Sequence, residues 1–265
     1  MPHNPDGIIT DGIGSDPAAL KRNAGPTGRA LIKALDRAVG VQAGTIERYV
    51  SFLRSRSPEA GPAEIQRQLD KHFLRLATGT GAGVGAAAAV PGIGFITGAA
   101  AVGAESLVFL DAAAIYTVAS AHVRGVDIQD PERRRALILI VLLGSKGSAV
   151  SDVLVGDLGS EQSGNLPSIT AVSRFSASRL TEVNSRLLRI ALKRVGKKLG
   201  ASWFGKILPF GVGAVLGTIA NRKLANRLIR NAGESLGTPP AAFDTPAPAK
   251  GSIKEPKNPF RRKRK

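Results

Sequence analysis

Apolar positions recur every three to four residues along most of this chain, the spacing of one face of an α-helix. In Arg29-Ala30-Leu31-Ile32-Lys33-Ala34-Leu35 this pattern opens a helical stretch that starts near residue 28. From Thr45 to about Arg56, Ile46, Tyr49, Val50 and Leu53 fall at i, i+3, i+4 and i+7 of a second helix. Residues 57–62 read as a turn, with Pro62 suited to the first position of the next helix. In that helix Ile65, Leu69, Phe73 and Leu76 share one face.

The pattern then changes. Leu76 to Ala104 is a run of 29 uncharged residues, eight of them glycine, broken near its middle by Pro91-Gly92. It predicts a Gly/Ala-rich helical hairpin whose arms meet at Pro91-Gly92-Ile93-Gly94, the second arm continuing to about Arg124 before Gly125-Val126-Asp127 turns the chain. The apolar run Ala136 to Leu143 taken alone fits a buried strand. The preceding Asp130-Pro131-Glu132, a capping acid followed by proline and an acid in the first turn, makes it a buried helix. Residues 156–168 read as a surface loop. From Arg179 to Leu199 the periodicity predicts an amphipathic helix, with Leu180, Val183, Leu187, Ala191 and Val195 on one side and Arg179, Arg186, Arg189, Lys193 and Lys197 on the other. A second uncharged run, Ile207 to Asn221, precedes a last basic helix from Arg222 to Asn231. The fold expected is all-α: a helical bundle over 28–237, with disordered ends at 1–27, where Pro, Gly, Asn and Asp are dense, and at 238–265, where Pro and Ala dominate before a basic end.

Composition adds three constraints. The chain is 43% hydrophobic but only 5% aromatic, so its core is aliphatic and alanine-rich. It has no cysteine, which excludes disulfides, thiolate metal sites and a cysteine nucleophile, and fits a reducing compartment. The first residues carry neither a basic nor an apolar signal region, so a cytosolic start is expected. The net charge of +17 is unevenly spread: residues 1–182 carry 18 Lys+Arg against 17 Asp+Glu, residues 183–237 carry 11 against 1, and residues 238–265 carry 8 against 2. A basic C-terminal third on a nearly neutral body predicts a polyanionic partner, a lipid surface or a nucleic acid.

The order of these features resembles the EcsC family of bacterial proteins. The resemblance rests on the glycine-rich stretch from Gly79 to Pro91-Gly92-Ile93-Gly94, Glu105 and Asp111 in the arm after it, the Arg124-Gly125-Val126-Asp127 turn, the helix from Asp130 to Leu143, and Leu208-Pro209-Phe210-Gly211-Val212-Gly213-Ala214 with Asn221. It covers roughly residues 60–237. It implies a helical, membrane-associated protein, whose best-known namesake is encoded beside an ABC transporter, and it implies no catalytic residues.

Candidate chemistry is sparse. Gly79/Gly83, Gly94/Gly98 and Gly213/Gly217 are each four apart, which on a helix makes a flat face for close helix approach, in lipid or in a soluble core. A simple bilayer span is disfavoured. Between Gly85 and Ala104 the strongly apolar residues favour insertion by roughly 2 kcal/mol, which one acid at a helix centre, such as Glu105, would cancel. A hairpin dipping in from one side, or a bundle docking on lipid, fits better. Glu105 and Asp111 are acids in an apolar segment, but six residues place them about 240° apart on a helix, so they form no paired carboxylate site. Gly200 to Lys206 matches seven positions of a phosphate-binding loop, but Ile207 stands where Ser or Thr must hold magnesium and a helix precedes it instead of a strand. His3, His72 and His122 have no metal-ligand spacing, and no nucleophile elbow occurs. The expectation is therefore a non-enzymatic protein without cofactor, at the cytoplasmic side of the cell membrane. Anionic lipid would be held by Arg186, Arg189, Lys193 and Lys197, by Trp203-Phe204 as an interfacial anchor, and by Arg261, Arg262, Lys263, Arg264 and Lys265. The alternatives are a nucleic-acid-binding protein using the same basic region and, further off, a hydrolase using Glu105 or Asp111 as base.

Overall fold

A helix with one apolar stripe must bury that stripe, and a helix apolar on all sides must be buried entirely. Both kinds occur in the computed structural model of this protein. It describes residues 32–88 apart from 34, 38 and 42, residues 94–144, residues 172–199 apart from 174, and residues 212–254; the side chains of 80–88, 94–108, 194–199, 212–218 and 220 lie outside that description. Among the described residues 74% are helical and none is in a strand, so the fold is all-α.

After helical residues between 32 and 39 come six helices: α1 (Ala43–Arg56), α2 (Pro62–Ala88), α3 (Gly94–Val123), α4 (Pro131–Leu143), α5 (Ala177–Leu199) and α6 (Val212–Leu236). One cluster of buried apolar residues runs from Ile32 to Leu236. Helix α2 turns Ile65, Leu69, Phe73 and Ala77 into it, successive positions of one stripe. Helices α2 and α3 pack antiparallel, since Gln66 meets Ser120, Asp70 meets Tyr116 and Phe73 meets Phe109. Phe73 also stacks on Tyr116, ring centroids 4.7 Å apart. From Ala112 to Ala121 every residue of α3 is buried, which makes this half of the helix the centre of the bundle. Helix α4 is likewise buried all round from Ala136 to Val141 and packs between α5, α3 and α6. Helix α6 packs chiefly along α2.

The helix ends follow local chemistry. The Asp130 carboxylate accepts from the Glu132 backbone N–H at 2.8 Å, and Pro131 occupies the first helical position. Gly144 ends α4 at φ +63°, donating its N–H to the Ile140 carbonyl, while Asn231 of α6 donates to the Val141 carbonyl at 3.0 Å. A foreign side chain thus satisfies one of the orphan carbonyls of α4. Arg134 is buried and donates to the carbonyls of Val39, Ile128 and Gln129, and Arg135 pairs with Asp36 at 2.8 Å. These two arginines fasten the first helical residues to α4.

Two sequence expectations are corrected. The uncharged run and the last basic helix are not separate elements: α6 is continuous from Val212 to Leu236. Disorder does not describe residues 238–254. They run as an irregular strap beside the bundle, with Phe243 packed against the core and the Arg54 guanidinium 4.0 Å from its ring centroid. Arg54 also donates to the Thr245 carbonyl at 2.5 Å and its hydroxyl at 3.3 Å. The Ala241 carbonyl lies against Gly61, and the Asp244 carboxylate against Gly125. One aromatic anchor in a Pro- and Ala-rich segment is enough to hold it, because Pro has little backbone freedom left to lose.

Candidate anionic-surface interface

Helix α6 buries Ala225, Leu228, Ala232 and Leu236, a stripe at i, i+3, i+7 and i+11. That stripe dictates what faces outward. At 100° per residue, Ile219, Lys223, Arg227 and Arg230 fall within an arc of about 80° on the opposite side, Arg222 flanking one edge and Leu224 the other. All six are exposed. Ile219 and Leu224, at 45% and 52% exposure, are the exposed large hydrophobic residues among those described. None of the four cations makes an ion pair among the described residues; Glu234 lies one turn beyond Arg230 without bonding to it. The result is a strip about 16 Å long, from Ile219 to Arg230, in which aliphatic and cationic side chains interleave.

Helix α5 has the expected two faces, with Leu180, Val183, Leu187 and Ala191 buried and Lys193 exposed. Its cationic face is weaker than its composition suggests. Arg186 donates to Glu182 at 2.6 Å and Arg179 lies 3.5 Å from the same carboxylate, so one acid partly neutralises two arginines; Arg186 and Arg189 are both half-buried. Asn184, on the buried side, donates to the Glu132 carbonyl and carboxylate and ties α5 to the start of α4. Lys197 is on α5, but its side chain lies outside the described residues, as do Val195, Trp203, Phe204, Arg261, Arg262, Lys263, Arg264 and Lys265, and the loop at 156–168.

The glycines are distributed over three helices: Gly79 and Gly83 on α2, Gly94 and Gly98 on α3, Gly213 and Gly217 on α6. Gly79 is exposed, and a Cβ placed there would meet nothing within 4 Å, so it is not a point of close helix approach. The surroundings of the other five lie outside the described side chains. Glu105 and Asp111 both lie on α3, and the side chain of Glu105 lies outside the described residues. Among the described residues no helix is long and apolar enough to cross a membrane, and no group of three or more His, Asp or Glu could hold a metal ion.

A polar cluster lies between α2 and α3. The Tyr116 hydroxyl donates to Asp70 at 2.7 Å, the Gln66 amide reaches Asp70, Tyr116 and Ser120, and Arg124 donates to the Gln66 side-chain oxygen and to the carbonyls of Ser120 and Gly237. Burial, with the Asp70 charge beside it, pushes the Tyr116 phenol above its ordinary range. Burial lowers the Arg124 guanidinium, opposed by Tyr116 and Asp70. The members bond to one another and, through Arg124, to the backbone of Ser120 and Gly237, which is the behaviour of a structural network. A second contact joins α1 to α2: the Tyr49 hydroxyl and His72 Nδ1 are 2.5 Å apart.

The α6 strip was not singled out from the sequence. Its signal was there: the Ala225-Leu228-Ala232-Leu236 stripe obliges Ile219 and Lys223 to face outward once the helix is continuous through Asn221. No family model, characterised protein or solved structure matches this chain.

Proposed function

We propose that this protein is a non-enzymatic, membrane-associated helical protein that binds anionic lipid through its basic C-terminal third, on the cytoplasmic side of the cell membrane. The observation that carries this reading is the set of exposed cations Arg222, Lys223, Arg227 and Arg230, which have no acidic partner among the described residues and sit beside exposed aliphatic side chains. Each Lys or Arg close to an anionic leaflet contributes about 1 kcal/mol, so four of them hold a protein at a surface without any span. Attachment from one side also agrees with the absence of a membrane-crossing helix among the described residues. A role as accessory to a transport or envelope complex rests on the EcsC resemblance alone. The test is fractionation of cells into membrane and soluble pools with salt and carbonate washes. The protein is expected in the membrane pool and released by high salt. A wholly soluble protein at low salt would overturn the proposal.

A further inference from the structure

Resting on that reading, we infer that α6 is the docking element: it lies along the bilayer surface with Ile219 and Leu224 inserted among the lipid chains and Arg222, Lys223, Arg227 and Arg230 at the headgroups. The geometry supports this over α5. A surface-lying helix needs a solvent-facing side that carries both cations and large apolar groups. Among the described side chains, exposed large aliphatic residues occur only on α6, on the same roughly three-turn strip as four cations. The α5 face shares Glu182 between two arginines and has no exposed large apolar residue among its described side chains. The α6 strip also discriminates between polyanions. Phosphate groups of either kind would satisfy the cations. Single-stranded nucleic acid, however, is gripped by aromatic stacking, whereas this strip offers isoleucine and leucine, whose gain comes from leaving water for hydrocarbon.

The chain contains no cysteine, so one introduced thiol can be labelled uniquely. Ile219→Cys, Leu224→Cys and, as control, Ala63→Cys at an exposed position on α2 would each carry an environment-sensitive fluorophore. The full chain is mixed with vesicles of phosphatidylcholine containing phosphatidylserine. Emission should shift to the blue at 219 and 224 and stay unchanged at 63. In the unlabelled chain, Ile219→Ser with Leu224→Ser should weaken vesicle binding by about tenfold or more. Arg227→Gln with Arg230→Gln should weaken it by about 25-fold, roughly fivefold per cation. The same charge removed elsewhere, by Arg48→Gln with Arg67→Gln, should have little effect. All these positions are exposed, and unchanged helical circular dichroism would confirm folding. If the wild-type chain binds vesicles but the labels stay in water and the α6 variants bind as wild type, the docking element is elsewhere and this inference is overturned while the proposed function stands. If the wild-type chain ignores vesicles and binds duplex DNA, both are overturned.

Discussion

Phe243→Ala tests whether the strap after α6 is part of the fold. A fully buried Phe→Ala change costs about 3–5 kcal/mol. Phe243 is half-buried against the core, which brings its share to roughly 2 kcal/mol. The Arg54 guanidinium over its ring adds about 0.5–1 kcal/mol, lost with the ring. The expected destabilisation is therefore about 2–3 kcal/mol. For a chain of this size each kcal/mol moves the midpoint by roughly 2–4 °C, so Tm should fall by roughly 5–10 °C. Phe243→Leu, which keeps apolar contact and loses only the cation–π term and some area, should lose less than half as much. The assay is thermal melting followed by circular dichroism, with Arg54→Ala as a check from the other side, since it also removes the two bonds to Thr245. A Tm for Phe243→Ala within a degree or so of wild type would refute the reasoning and return residues 238–254 to the status of a free tail.

Three further outcomes follow from the geometry. Gly144→Ala should destabilise by about 2 kcal/mol or more, because φ is +63° and the new Cβ would sit 2.9 Å from the Asn231 amide; in an Asn231→Ala background the same change should cost measurably less, and additive effects in denaturant unfolding would contradict that contact. Arg124→Met should cost about 2–3 kcal/mol by leaving Gln66 and the Gly237 carbonyl without their donor, readable as a lower urea midpoint at unchanged slope. Burial lowers both His72, helped by Arg75, and His122, so below about pH 6.5 the unfolded chain takes up protons that the folded chain resists. This stability is fully present above that pH and lost as pH falls through it; Tm should drop between about pH 7 and pH 5, less so in His72→Gln, and a flat profile would contradict it.

Helices with a clean stripe were legible. Ile46, Tyr49, Val50 and Leu53 of α1 are all buried, as their spacing requires, and Asp130-Pro131-Glu132 correctly turned an ambiguous apolar run into α4. The extent of α6 was missed because a change from apolar to basic side chains at Asn221-Arg222 was read as a boundary. A helix ends where its capping chemistry ends it, and α6 runs on through that change. The strap has no periodicity to read; its only clue was a lone Phe243 among prolines. For the polar cluster the spacing was visible, with Gln66 and Asp70 four apart on α2, Tyr116 and Ser120 four apart on α3 and Arg124 four further on in the turn after it, but the pairing of those two ladders is a tertiary fact. The α6 strip became readable only when continuity of the helix put Ile219 in register with Lys223, Arg227 and Arg230.

Lipid and nucleic acid both attract a basic surface, and both lose affinity with salt, so the most direct measurement sets them in competition. The full chain is offered anionic vesicles and labelled duplex DNA together at about 0.15 M salt, where the screening length is about 8 Å, and the vesicles are floated through a density gradient. The protein should float with the vesicles while the DNA stays behind, and vesicles of phosphatidylcholine alone should retain little protein. Protein left at the bottom of the gradient with the DNA would contradict the proposed lipid binding.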